Sequence, residues 1–211
     1  MPTDLKDPSH WEKDCVRIRR SLWQRERRLK QFDVKKEFVV LDLGCGDGLN
    51  TKIIFDSGVS NVSGIDVSSD LLILAKANNP TVTFKLAAAE KIPFKDNYFD
   101  LILVDSVFHH LINSPKALKE IKRVLKKKGF LCFSEPHNSI ARQLFDYLTF
   151  SSLRFAIPYL NKRRSAYLAE KKNLENWLKK EPKFVSALNK EFKKVFLKYD
   201  LLSVVGKYQK I

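Results

Sequence analysis

From Phe38 onward the chain alternates short apolar runs with stretches of helical period: "FVVLDLG", "TKIIFDSG", "VSGIDVS", "DLLILAKAN", "VTFKLAA", "FDLILVDS", "SPKALKEIKRVLKKKG", "FLCFSE". Strand followed by helix followed by strand is the order a parallel α/β sheet demands, because each parallel neighbour is reached only by a crossover. The runs "VVL", "LILV" and "FLCF" lack polar alternation, which predicts strands covered on both faces. Gly58 and Gly129 read as helix ends, and Ser114 with Pro115 as the N-cap and first position of the next helix.

The flanks have a different character. Residues 9–32 place Trp11, Cys15, Ile18, Leu22 and Leu29 on one helical face with arginines opposite, so an N-terminal amphipathic helix is expected. After Pro136, residues 139–196 are basic and helical in period, with Ile140, Leu144 and Leu148 in one stretch and Phe184, Leu188, Phe192 and Val195 in another. The expected organisation is one domain over 1–211. It comprises a helical cover (1–37), a core (38–136), a helical lid (137–196) and a final strand region (197–211).

Composition narrows the possible roles. A hydrophobic fraction of 44% with 30% charged residues is that of a globular chain. No run approaches the roughly 20 apolar residues of a membrane span, and the start "MPTDLKDPSHWEKD" is unlike a signal peptide, so a cytoplasmic location without a transmembrane segment is expected. Cys15, Cys45 and Cys132 are scattered and suggest neither disulfides nor a metal site. The net charge of +15 is concentrated at the end: residues 161–211 hold 14 Lys/Arg against 5 Asp/Glu. Such a bias suits a partner bearing phosphate or carboxylate, or else a solvated helix face.

The turn "LDLGCGDGLN" identifies a ligand class. A dinucleotide fingerprint would need its third glycine where Leu49 stands, and a triphosphate loop would need a Gly-Lys-Ser/Thr that is missing. Asp42, beside the turn, would repel phosphate but can hold an ammonium, while backbone N–H groups at the following helix hold a carboxylate. Asp66, twenty residues past Gly46, is placed to accept hydrogen bonds from ribose hydroxyls. A nucleoside joined to an amino acid, as in S-adenosylmethionine, satisfies all three conditions.

Taken in order, "VVLDLGCGDG", "GIDVSSDLL", "AAAEKIPFKDNYFDLILVDSVFHHL" and "ALKEIKRVLKKKGFLCFSEP" resemble the successive motifs of class I S-adenosylmethionine-dependent methyltransferases of type 11, from about Phe38 to Pro136. The resemblance implies a doubly wound, mostly parallel Rossmann-like sheet carrying an N-terminal helix and a helical lid near the C-terminus. It implies that Asp42, Gly44, Cys45 and Gly46 line the methionine end, that Asp66 reads the ribose, and that Val67 packs on the adenine. Ala88, Ala89 and Glu90 would pass the adenine edge, and Asp105 and Ser106 would face the reacting centre. Ala88 departs from the family, which commonly has Asp there to accept from the adenine amino group.

His109 and His110 are the titratable candidates for a general base, with capping or core contacts as the other reading. The Asn/Asp-Pro-Pro-aromatic motif of nucleobase methylation is replaced by "DSVFHH", which disfavours that reaction. The aromatic stretch before Lys162, Arg163 and Arg164 suits a small or lipid-like, anionic acceptor, with Arg163 and Arg164 as its cations. Two other functions fit the same residues: RNA methylation through the basic C-terminal region, which is possible but not favoured, and a regulatory protein that binds the cofactor without turnover.

Overall fold

Among the described residues, seven strands form one sheet, which from one edge to the other runs Thr83–Leu86, Val62–Asp66, Val40–Leu43, Phe99–Asp105, Leu125–Pro136, Ser203–Lys210 and Phe192–Tyr199. The computed structural model describes residues 22–150 and 158–211, with side chains for residues 25–148 and 170–211. The strands are β1 (Val40–Leu43), β2 (Val62–Asp66), β3 (Thr83–Leu86), β4 (Phe99–Asp105), β5 (Leu125–Pro136), β6 (Phe192–Tyr199) and β7 (Ser203–Lys210). The helices are α1 (Leu22–Gln31), α2 (Leu49–Asp56), α3 (Ser69–Asn78), α4 (Ser114–Val124), α5 (Ile140–Phe150) and α6 (Pro158–Glu191). β1 to β5 are mutually parallel, and β7 runs antiparallel between β5 and β6.

Alternation of side chains along each strand divides the core between two faces. Leu41, Leu43, Ile102, Val104, Leu131 and Phe133 bury one face against Ile121 and Val124 of α4 and Trp177, Phe184 and Leu188 of α6. Val40, Leu101, Leu103 and Cys132 bury the other against Leu29 of α1, Ile54 of α2 and Leu72 and Ala75 of α3. Helices on both faces make the sheet doubly wound, as the unbroken apolar runs require.

Boundaries differ from the sequence reading at three places. The helix expected to run to Gly129 stops at Val124, and Leu125 already pairs with Phe99 in the sheet. The lysine run then leaves the ladder as a bulge, with Lys128 at φ 62 and the Lys126 ammonium 2.8 Å from the Asp100 carboxylate. A Cβ on Gly129 would sit 2.9–3.1 Å from three backbone oxygens, so its glycine serves the bulge rather than a helix end. At the start of α4 the cap is Asn113, whose side chain accepts from the Lys116 amide at 3.0 Å, one position ahead of Ser114. Gly58 ends α2 as expected, at φ 98 and one residue past the C-cap Ser57.

The third difference concerns residues 137–196. Phe192 opens β6, so the helical segment ends at Glu191. The second half of α6 is core, with Leu174, Trp177, Phe184 and Leu188 buried at helical spacing and Trp177 Nε1 donating to the Pro136 carbonyl at 2.8 Å. A lid therefore cannot extend over all of 137–196. Of the N-terminal amphipathic face, Leu29 is buried as expected, whereas Trp11, Cys15 and Ile18 lie outside the described residues. Among the described residues, no helix is long and apolar enough to cross a membrane.

Candidate active site

Order in the sheet reverses between β1 and β4, and ligands of open α/β sheets bind at the carboxyl ends of the strands flanking such a point. β1 leads there into the glycine turn. Gly44, Gly46 and Gly48 have φ of 71°, 54° and 76°, a left-handed run that side-chain-bearing residues resist. A Cβ on Gly44 would fall 2.3 Å from Val107 Cγ2, whereas one on Gly46 would meet nothing within 4 Å. The Gly46 side of the turn is thus an open cradle. α2 starts immediately after Gly48 with no side-chain cap, leaving first-turn N–H groups able to meet a carboxylate.

Two acids brace this turn. Asp42 is buried beneath it and accepts from Thr51 Oγ1 at 2.6 Å. Burial pushes the Asp42 carboxyl up to about 7, against the Thr51 hydrogen bond and with help from the charge of Asp105. Asp66 Oδ2 accepts from the Gly46 amide at 2.8 Å and Oδ1 from the Ser68 amide at 2.9 Å. Burial raises the Asp66 carboxyl, and those amides oppose the shift. The ribose-reading candidate is therefore physically tied to the glycine turn.

Beyond Asp66 come Val67, Ala88, Ala89 and Glu90, the residues read from the sequence as neighbours of the adenine. Val67 and Leu86 are exposed apolar side chains at the carboxyl ends of β2 and β3, with Leu86 registered opposite Asp66. The Ala87 amide donates to the Asp66 carbonyl at 2.9 Å, which brings Ala88, Ala89 and Glu90 past the same edge. Cys45 is buried with its thiol pushed up by burial, so it fills space rather than reacting.

At the other end of the turn the structure supplies residues that sequence reasoning missed. Arg28 Nη1 donates to Asp105 Oδ1 at 2.5 Å and to Ser134 Oγ at 2.7 Å. Asn50 Nδ2 donates to Asp105 Oδ2 at 3.2 Å, and Asn50 Oδ1 accepts from Arg25 Nη1 at 2.9 Å. Arg25 and Arg28 read in the sequence as the solvent side of the first helix. They point inward because Asp105, at the buried end of β4, lies within reach. Ser106 turns the chain away at φ 63, its amide bonded to the Ser134 carbonyl at 2.8 Å.

His109 and His110 lie in a 3-10 turn, Phe108–His110, just past β4. Glu135, fully buried at the end of β5, accepts from the Val107 and Phe108 amides at 2.7 Å each and bonds His109 Nδ1 at 2.7 Å. Nε2 of His109 lies 3.4 Å from Glu170 Oε2 on α6, and Nε2 of His110 lies 3.8 Å from the same oxygen. Burial works against a charge on His109, but Glu135 and Glu170 outweigh it and lift the ring to about 9. Burial and the neighbouring His109 hold His110 well below its ordinary value. Glu135 and Glu170 were not legible in the sequence, since neither belongs to a local motif with the histidines. Arg163 and Arg164 fall on α6, but their side chains lie outside the described residues.

The geometry agrees with comparisons to known proteins. The family model described as "Methyltransferase domain", type 11, matches residues 41–133. An uncharacterised protein of Methanocaldococcus jannaschii is 42% identical over 103 residues, which is 49% of this chain and 43% of that protein, so the chain spans less than half of that relative. The ubiquinone/menaquinone biosynthesis C-methyltransferase UbiE of Campylobacter jejuni is 26% identical over 182 residues, covering 81% of this chain and 77% of that protein. A solved structure from Pyrococcus horikoshii shares the fold at a TM-score of 0.61 and 20% identity, covering 92% of this chain and 93% of that one.

Proposed function

We propose that this chain, a class I S-adenosylmethionine-dependent methyltransferase of type 11, transfers the methyl group to a small lipid-like, anionic acceptor. The observation that carries the acceptor class is an apolar surface at the carboxyl edge of the sheet. Ile140 is 85% exposed, Leu144 56% and Tyr147 64%, at the i, i+4, i+7 spacing of one face of α5. Exposed Leu201 adjoins them, its carbonyl accepting from Ser139 Oγ. An exposed apolar patch of this kind suits an amphiphile better than a freely soluble metabolite. The names of the Campylobacter relatives, in ubiquinone/menaquinone biosynthesis, favour the same class.

The residues present fit the cofactor. The open face of Gly46 and the first-turn amides of α2 would receive its amino-acid end, Asp66 its ribose, and Val67 and Leu86 its adenine. Bound there, S-adenosylmethionine supplies an electrophilic methyl on a good leaving group. The chain's own task is then to orient the acceptor and exclude water, which aligned binding does at low cost. Arg25 and Arg28 shield the methionine end from solvent by closing α1 over Asp105. Arg163 and Arg164 are proposed to steer the acidic end of the acceptor.

The test is transfer of label from methyl-labelled cofactor into three fractions of a cell: lipid extract, water-soluble metabolites and total RNA. Label in the lipid extract supports the reading. Label in RNA would favour the basic C-terminal surface as a nucleic-acid footprint, and label in no fraction would favour a binding protein without turnover.

A further inference from the structure

We infer that His109, His110 and Glu170 form a binding site for one divalent transition-metal ion. Nε2 of both histidines faces Glu170 Oε2, at 3.4 and 3.8 Å, and the three ligand atoms lie within 4.8 Å of one another. Metal–ligand bonds of about 2.0–2.1 Å in a tetrahedron separate their ligand atoms by roughly 3.4 Å. The His109–Glu170 pair already has that spacing, and the His110–Glu170 pair needs to close by only a few tenths of an ångström.

What distinguishes this cluster from a surface ion pair is the support behind it. A ligating histidine characteristically gives its other ring nitrogen to a carboxylate, which fixes the tautomer and orients the ring. His109 Nδ1 bonds Glu135 Oε2 at 2.7 Å, and Glu135 is itself locked by the Val107 and Phe108 amides. The His109 and His110 rings pack with centroids 3.8 Å apart and planes tilted by 42°, which holds the second ring beside the first. Two imidazoles and one carboxylate suit Zn²⁺, Fe²⁺ or Co²⁺ rather than Mg²⁺ or Ca²⁺, whose preferred ligands are oxygens.

Three protein ligands leave at least one coordination position open, the pattern of a catalytic rather than a structural site. The site lies just beyond the end of β4, where Asp105 meets the glycine turn's helix through Asn50. An acceptor hydroxyl coordinated there would lose its proton to solvent more readily and become the stronger nucleophile. That consequence rests on the acceptor reading above, whereas metal uptake does not.

The experiment titrates Co²⁺ into the chelator-treated full chain and follows the visible absorption of tetrahedral Co²⁺, with Zn²⁺ added in competition. The expected result is one Co²⁺ per chain, displaced by Zn²⁺. Glu170→Gln and His110→Ala should each weaken uptake at least tenfold, and Glu135→Gln about 10- to 100-fold by releasing the His109 ring. Glu170 is a partly exposed helix residue, so its variant is expected to fold even where a change at Glu135 does not. Absence of Co²⁺ bands at a tenfold molar excess would overturn the inference, as would uptake equal in the chain and its Glu170→Gln variant. Neither result depends on finding the methyl acceptor.

Discussion

Arg28 and Asp105, 77 residues apart, meet through a 2.5 Å hydrogen-bonded ion pair that fastens the first described helix over the end of β4. Both side chains are nearly buried, so each cancels a charge that the interior would otherwise penalise. Arg28→Met removes the 2.5 Å partner of Asp105 while Asn50 and the more distant Arg25 stay in place, and is expected to cost about 2 kcal/mol of stability, less than a fully orphaned buried charge. A double-mutant cycle with Asp105→Asn, read by urea unfolding, should give a coupling of about 1 kcal/mol or more. Additive losses would mean that the two groups stabilise the fold independently.

Asp66→Ala removes the carboxylate that joins the Gly46 and Ser68 amides. On the proposed ribose-reading role, the variant loses two charge-assisted hydrogen bonds and should weaken S-adenosylhomocysteine binding by about 2 to 3 kcal/mol, roughly 30- to 150-fold in Kd. Calorimetry checks this, and an unchanged Kd would place the ribose elsewhere. The same titration with NAD should give no measurable heat, because Leu49 opens α2 where the dinucleotide motif has glycine.

Stability should depend on pH through Asp42. Burial lifts its carboxyl to about 7 in the folded chain, so the folded state holds this proton more tightly than the unfolded state does. The contribution is complete below about pH 4, declines as pH rises, and is gone above about pH 7. Asp42→Asn keeps an acceptor for Thr51 and abolishes the titration. Relative to the parent chain, the variant should gain about 4 kcal/mol between pH 4 and pH 8, from roughly three pH units at 1.36 kcal/mol each. A difference that stays flat with pH would show that Asp42 is not the group responsible.

Ile140→Ser together with Leu144→Ser tests the apolar edge. Both side chains are largely exposed, so folding and cofactor affinity should be unchanged. If the acceptor seats partly on this face, kcat/KM for a lipid-like acceptor should fall about tenfold, from lost burial of two aliphatic groups. A fall in cofactor affinity instead would assign the face to the fold.

Local spacing by itself determined a good deal of this protein. The alternation of strands and helices from Phe38 to Pro136, the left-handed turn at Gly44, Gly46 and Gly48, and the placing of Asp66 beside it all follow from periods of two and 3.6 and from what glycine alone tolerates. Other features were decided only by tertiary structure. The second half of α6 reads as one more basic helix until Trp177, Phe184 and Leu188 meet the sheet. Lys207 reads as surface charge until β7 slots between β5 and β6 and its ammonium reaches the Phe32 carbonyl at 2.6 Å, where α1 ends. Arg28 on Asp105 and Glu135 on His109 join residues 77 and 26 positions apart. Such partners are chosen by which charges the folded sheet buries together, because a charge removed from water must be met by whatever the topology brings beside it, and neighbouring sequence carries no trace of that choice.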